Sequence, residues 1–131
     1  MYLAFDPNSG VPVSAQLIEQ IKYLVVSGQL TPGEMLPSVR GLAMQLHLNP
    51  TTVARVYRQL EAEEILYTQQ GRGVFVRGNR SAYTIDEKRR RVRGLVRDLV
   101  VEAARIGLRF EEVQRMIEKE IQALKPEGDD E

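Results

Sequence analysis

Apolar residues recur at helical spacing from about residue 13 to residue 27, where Leu17, Ile18, Ile21, Leu24 and Val25 share one face. Gly28 follows as a C-terminal cap, and Leu30-Thr31-Pro32-Gly33-Glu34 reads as a turn. A second, short helix is expected from Ser38, a good N-cap after Pro37, burying Val39, Leu42, Ala43 and Leu46. The third runs from Pro50 to Glu63, with Asn49 as N-cap and Pro50 at the first helical position, where its missing N–H costs nothing. The period then changes. Ile65-Leu66-Tyr67-Thr68 and Val74-Phe75-Val76 are β-prone runs around Gln69-Gln70-Gly71-Arg72-Gly73, which predicts a hairpin with a glycine-rich tip.

Gly78-Asn79 marks a boundary. Beyond it Val92, Leu95, Val96, Leu99, Val100, Ala103 and Ile106 return to a helical repeat, Gly107 breaks it, and Phe110, Val113, Met116, Ile117, Ile121 and Leu124 form a shorter amphipathic helix. Residues 1–12, punctuated by Pro7, Gly10 and Pro12, are extended and turn-prone. The pattern predicts a mainly α chain with one small β-hairpin. Residues 1–78 form a winged helix-turn-helix, 79–125 a two-helix dimerisation subdomain and 126–131 an acidic tail.

Composition narrows the chemistry. The chain has no cysteine, which excludes disulfides, thiolate nucleophiles and Cys-ligated zinc. No apolar run reaches membrane-spanning length and the N-terminus lacks a signal core, so a cytoplasmic protein with no membrane partner is expected. Net charge is zero, but residues 78–109 hold nine basic against four acidic side chains, whereas 110–131 hold three against eight. Local charge therefore carries more information than the total.

The third helix shows why. Advancing 100° per residue from Thr51 puts Arg55 near 40° and Arg58 near 340°, with Gln59 near 80° and Thr52 near 100° on the edge of the stripe. Val53, Val56, Tyr57 and Leu60 fall on the opposite side, between about 140° and 240°. Hydroxyls at a helix N-terminus suit a phosphate, and arginines one turn on suit guanine or another phosphate. Taken alone, the same pattern fits a surface helix whose Arg55 or Arg58 pairs with Glu61, Glu63 or Glu64. The hairpin shifts the balance, because Gly71-Arg72-Gly73 sets one cation at a tip whose backbone can approach a phosphate wall closely.

These stretches resemble the DNA-binding domain of the GntR family of bacterial transcription regulators. The residues that carry the resemblance are Gln29 to Arg40 (QLTPGEMLPSVR), Leu42-Ala43, Asn49-Pro50-Thr51-Thr52-Val53, Leu60 and Gly71 to Val76 (GRGVFV). It covers roughly residues 10–77, and the short two-helix tail is similar to the YtrA-like branch. The resemblance implies DNA contacts at Arg40, with Ser38 beside it as cap and phosphate ligand, at Asn49, Thr51, Thr52 and Arg55, and at the wing residues Gly71, Arg72 and Gly73. Arg58 and Gln59 join the set from the angular argument alone. The sequence departs from the family pattern at Gly41, where a capping-box glutamate is usual, and at His47, where a turn glycine is usual. The Gly41 departure costs about 0.5–1 kcal/mol locally.

One winged helix reads only a few base pairs, so a homodimer on a pseudo-palindromic double-stranded operator is expected. Its isologous interface is expected to use Val92, Leu95, Val96, Leu99, Val100, Ala103, Ile106, Phe110, Val113 and Ile117. The basic run Lys88-Arg89-Arg90-Arg91, with Arg93 and Arg97, reads as a solvated helix face pairing with the partner's acidic 110–131 segment, or as a second contact to DNA phosphates. About 45 residues in two helices are too few to enclose a ligand, so a small-molecule effector, if there is one, is expected at the subunit interface. No cofactor or metal site is expected, and no catalytic constellation is present. The reading is therefore a non-enzymatic DNA-binding regulator, most simply a repressor. The competing reading is a winged-helix protein-interaction module, whose exposed stripe should be apolar rather than hydroxyl and arginine.

Overall fold

The computed structural model describes residues 1–78 and 83–124, and the acidic tail at 126–131 lies outside the described residues. The elements run α1 (Val13–Val26), α2 (Val39–Leu46), α3 (Pro50–Ala62), β1 (Leu66–Gln69), β2 (Gly73–Val76), α4 (Ile85–Ile106) and α5 (Phe110–Leu124). They separate into two compact units, Met1–Asn79 and Arg80–Glu131. The expected fold class, mainly helical with a single hairpin, is what forms.

In the first unit the buried residues follow the predicted periods. Leu17, Ile21 and Val25 of α1 meet Leu42 and Ala43 of α2 and Val53, Val56, Tyr57 and Leu60 of α3, and Leu66 and Val76 close the core from the hairpin. Each of these buried valine, leucine and isoleucine side chains contributes on the order of 1.5–3 kcal/mol by leaving water. β1 and β2 pair antiparallel with Leu66 opposite Val76 and Gln69 opposite Gly73.

Two connections were not readable from local pattern. The segment 33–36, which begins inside the expected turn at 30–34, runs antiparallel to β2 through an isolated bridge between Met35 and Phe75. Gly33 N–H donates to the Val76 carbonyl at 2.8 Å, Val76 N–H to Glu34 at 2.9 Å, and Leu36 N–H to Val74 at 2.8 Å. The N-terminal arm is held by two glutamines of α1. Gln16 accepts from Asp6 N–H at 2.9 Å and donates to the Asp6 carbonyl at 3.0 Å, while Gln20 accepts from Ala4 N–H and donates to its carbonyl. Side-chain amides here do what a neighbouring strand would do, satisfying both backbone groups of an extended residue.

In the second unit the helical repeat of 92–106 marks only part of α4. The helix begins at Ile85, capped by Thr84, whose hydroxyl accepts from Glu87 N–H at 3.2 Å. A capping signal and a run of helix-forming cations extend α4 where no apolar period exists. Gly107, in the left-handed conformation, ends it as expected.

One ion pair ties α1 to the end of α3: Lys22 Nζ lies 2.7 Å from Glu63 Oε1. The hydrogen bond to Glu63 raises the Lys22 pKa against the effect of burial. Partial burial works to raise Glu63, but the bonds from Lys22 and Gln59 and the lysine charge leave it below its ordinary value. A depressed carboxylate stabilises the fold above its unfolded pKa and loses that contribution as pH falls through the folded one. Glu63→Gln should therefore lower stability at neutral pH by less than about 1 kcal/mol. In urea titrations its gap from the parent protein should close as the pH is lowered below the ordinary carboxylate range. A gap that widens with acidification would show the pair to be unimportant.

Candidate nucleic-acid interface

The site grows out of how α2 and α3 are joined. Ser38 caps α2, its hydroxyl accepting from Gly41 N–H at 2.9 Å, so one of the two bonds of a capping box survives the loss of the glutamate. The turn after α2 needs a left-handed residue, and His47 supplies it at φ 56°. That conformation explains why glycine is the easier choice there, since a side chain costs about 1–2 kcal/mol. Asn49 then caps α3, its side-chain oxygen accepting from Thr51 N–H at 2.8 Å, with Pro50 at the first position.

The burial of α3 matches the angular expectation residue by residue. Val53, Val56, Tyr57 and Leu60 are inside, while Thr51, Arg55, Arg58 and Gln59 are exposed and Thr52 is half-buried. A second lock fixes the angle between the two helices. The Tyr57 hydroxyl donates to the Pro37 carbonyl at 2.8 Å, joining α3 to the residue before the α2 cap. Burial of this phenol raises its pKa well above the ordinary tyrosine value, so it remains a neutral donor at any working pH.

Arg40 is exposed in the first turn of α2, and Arg72 is exposed at the hairpin tip. Among the described residues Arg40, Arg55, Arg58 and Arg72 have no carboxylate within ion-pair distance. The pairing of Arg55 or Arg58 with Glu61, Glu63 or Glu64 that the sequence left open does not form. Gln59 differs from them. Its amide donates to Glu63 Oε2 at 2.8 Å, which commits it within the α3–α1 contact.

The tip is a three-residue turn, Gln70 to Arg72, closed by Arg72 N–H donating to the Gln69 carbonyl at 2.9 Å. Gly71 has φ 79° and Gly73 φ 133°, and a Cβ on Gly73 would sit 3.3 Å from Met35 Sδ. Gly73 is thus required for its conformation and for space. Tyr67 and Phe75 stack across the strands with ring centroids 5.5 Å apart, and the Arg77 guanidinium lies 5.7 Å from the Tyr67 centroid. This aromatic rung stiffens the hairpin, and sequence reading passed over it because only the strand register puts those positions opposite one another.

Of the residues expected in a subunit seam, Ala103 and Val113 are buried, at the floor of the α4–α5 groove that both line. Val92, Leu95, Val96, Leu99, Val100, Ile106, Phe110 and Ile117 stay exposed. Between α4 and α5 runs an apolar groove of about 520 Å³ lined by Leu99, Ala103, Ile106, Val113, Met116 and Ile121, among others. It has the volume of a small ligand, but Ile106 and Met116 on its walls are 59% and 51% exposed, so the two helices do not enclose it. Among the described residues no group of three His, Cys, Asp or Glu could hold a metal, and no helix is long and apolar enough to cross a membrane.

A capped helix-turn-helix followed by a hairpin tipped with arginine defines a winged helix-turn-helix module. Residues 13–76 match the family of bacterial regulatory proteins called gntR. The chain is 36% identical over 121 residues to the HTH-type transcriptional repressor YtrA of Bacillus subtilis (strain 168), covering 92% of each. Its structure is similar to that of a transcriptional antiterminator from Listeria monocytogenes EGD-e, with a TM-score of 0.84 at 25% identity, covering 96% of this chain and 94% of that one. The chain is also similar to AraR(DBD) solved in complex with operator ORX1, with a TM-score of 0.50 at 29% identity, covering 56% of this chain and 92% of that one. The chain belongs to the GntR family, a family of regulators and not of enzymes.

Tyr57→Phe leaves the Pro37 carbonyl without its donor while keeping the ring. Stability should fall by about 0.5–1.5 kcal/mol. Amide exchange should rise selectively in α2 and at the start of α3. An unchanged exchange pattern would mean that apolar packing alone sets the angle between these helices.

Proposed function

We propose that the chain is a sequence-specific DNA-binding transcription regulator that represses by occupying an inverted-repeat operator as a homodimer. The observation that carries this reading is the set of four exposed, unpaired arginines on α2, α3 and the wing, on elements whose opposite faces are locked into one core. The hydroxyls of Thr51 and Thr52 meet a phosphate at the positive end of the α3 dipole, the N–H groups there being held by Asn49, and Arg55 and Arg58 reach into the major groove. Arg40 and Ser38 anchor the backbone beside them, with Asn49 setting the helix start. Gly71, Arg72 and Gly73 bring the wing into the minor groove. Gln59 plays a lesser part, because Glu63 already holds it. AraR(DBD), solved on its operator, is the relative that supports the docking of this module on DNA. YtrA, a repressor, supports the sign of regulation.

The homodimer rests on the second unit. Eight of the ten expected seam side chains on α4 and α5 remain exposed after the two helices have packed together, and a second copy is the economical cover for them. In this reading Ala103 and Val113 hold the helix pair, and the other eight positions form the seam. An effector, where one acts, sits at that seam, in the α4–α5 groove that a second copy would roof.

Titration with inverted-repeat duplexes at several salt concentrations tests the DNA reading. Binding should weaken steeply with salt. Arg55→Ala should lose about 1–3 kcal/mol on the preferred site and relax selection at one base position. No binding to any such duplex at low salt would sink the proposal. Leu95, 70% exposed, tests the dimer: Leu95→Glu should shift the protein from dimer to monomer in sedimentation with an unchanged circular dichroism spectrum. A dimer that survives this change would take α4 out of the interface.

A further inference from the structure

The basic run on α4 is not used by the winged module, and the structure sharpens what it can do. Within α4, Arg89, Arg90, Arg93 and Arg97 fall inside about 100° of arc, along one flank of the apolar face. Arg89, Arg93 and Arg97 are each one turn apart, about 6 Å along the axis. Like charges at that spacing repel one another. Among the described residues none of these four has a carboxylate within ion-pair distance, and all four are exposed. Arg91, on the other flank, is engaged differently, with its guanidinium 4.2 Å from the Tyr83 ring centroid. Of the first-turn acids, Glu87 is committed to the Thr84 cap, and Asp86 lies on the arginine flank without closing an ion pair among the described residues, while Glu102 is held by Arg105 at 2.6 Å.

Four arginines against the single Asp86 leave this flank strongly cationic, which calls for an anionic partner. The described acids of α5 could supply only part of one from a second copy. Glu111 lies 3.8 Å from Arg109 and Glu118 accepts from Gln122 at 3.1 Å, which leaves Glu112 and Glu120, fewer than the four arginines. A DNA duplex, by contrast, presents one charge per roughly 1.7 Å of axis. The run starts twelve positions after Val76, a tether of at most about 40 Å from the hairpin. We infer that the Arg89-Arg90-Arg93-Arg97 flank of α4 is a second, sequence-independent contact to DNA phosphates. The inference rests on the DNA-binding reading of the winged module and adds to it a contact outside that module. It makes the second unit a source of affinity while the first unit supplies selection.

The test compares the parent chain with Arg89→Gln/Arg93→Gln/Arg97→Gln. The glutamines keep helix propensity, so circular dichroism should be unchanged. A control, Arg109→Gln/Arg115→Gln/Lys119→Gln, removes the same charge from the other end of the unit. Affinities are measured on a preferred and on a random duplex across a salt series, at protein concentrations where sedimentation shows the same oligomer for all three proteins. The α4 variant should lose affinity by the same factor on both duplexes, at least tenfold at low salt, and its slope of log K against log salt should flatten by about 2–3 for each bound subunit. The control should keep the parent's slope. A parent slope in the α4 variant overturns the inference, and a changed dimer dissociation constant alongside it would assign the flank to the partner subunit. Equal flattening in the control also overturns it, by reducing the effect to net charge. Absence of salt-dependent binding by the parent chain is the separate failure of the DNA reading.

Discussion

The inner face of α3 is the constraint on which the rest of the first unit depends. Val53, Val56, Tyr57 and Leu60 sit almost wholly inside, contacting α1, α2 and the base of the hairpin at once. A helix seated so firmly on one side has no rotational freedom left, and whatever lies opposite is presented outward at a fixed angle. The Tyr57 bond to Pro37 adds direction to that packing, because a hydrogen bond specifies an approach that apolar contact alone leaves loose. Presentation of Thr51, Arg55 and Arg58 is thus a by-product of core packing.

The polar surface divides by whether a charge already has a partner. Lys22, Glu63 and Gln59 form a closed set that braces α1 against α3. The arginines of the proposed contact surface stand outside any such set. An arginine engaged by a neighbouring carboxylate would have to break that bond before meeting a phosphate, and the free ones avoid this. The same distinction separates Arg91, stacked on Tyr83, from the flank of α4 that carries no partner.

The second unit poses the opposite problem. Two helices that touch through Ala103 and Val113 bury too little to stand alone, and much apolar surface remains in water. The proposed subunit pairing and a roofed α4–α5 groove would be two aspects of one requirement, the covering of that surface. In such a dimer, a molecule in the groove would act on the pairing directly.

Periodicity and caps determined most of the architecture from sequence. Apolar spacing placed the three helices of the first unit and the hairpin, Asn49-Pro50 fixed the start of α3, and the stripe of Thr51, Arg55 and Arg58 followed from the angle per residue. These are legible because burial of one helix face and capping of its ends depend on residues a few positions apart. Tertiary structure alone decided which polar groups were already spoken for and which segments found partners far along the chain. It gave Gln59 to Glu63, paired 33–36 with β2, seated the N-terminal arm on Gln16 and Gln20, and spent Ala103 and Val113 inside the subunit. Each of these choices depends on distances between elements, and such distances exist only once the core has brought the elements together.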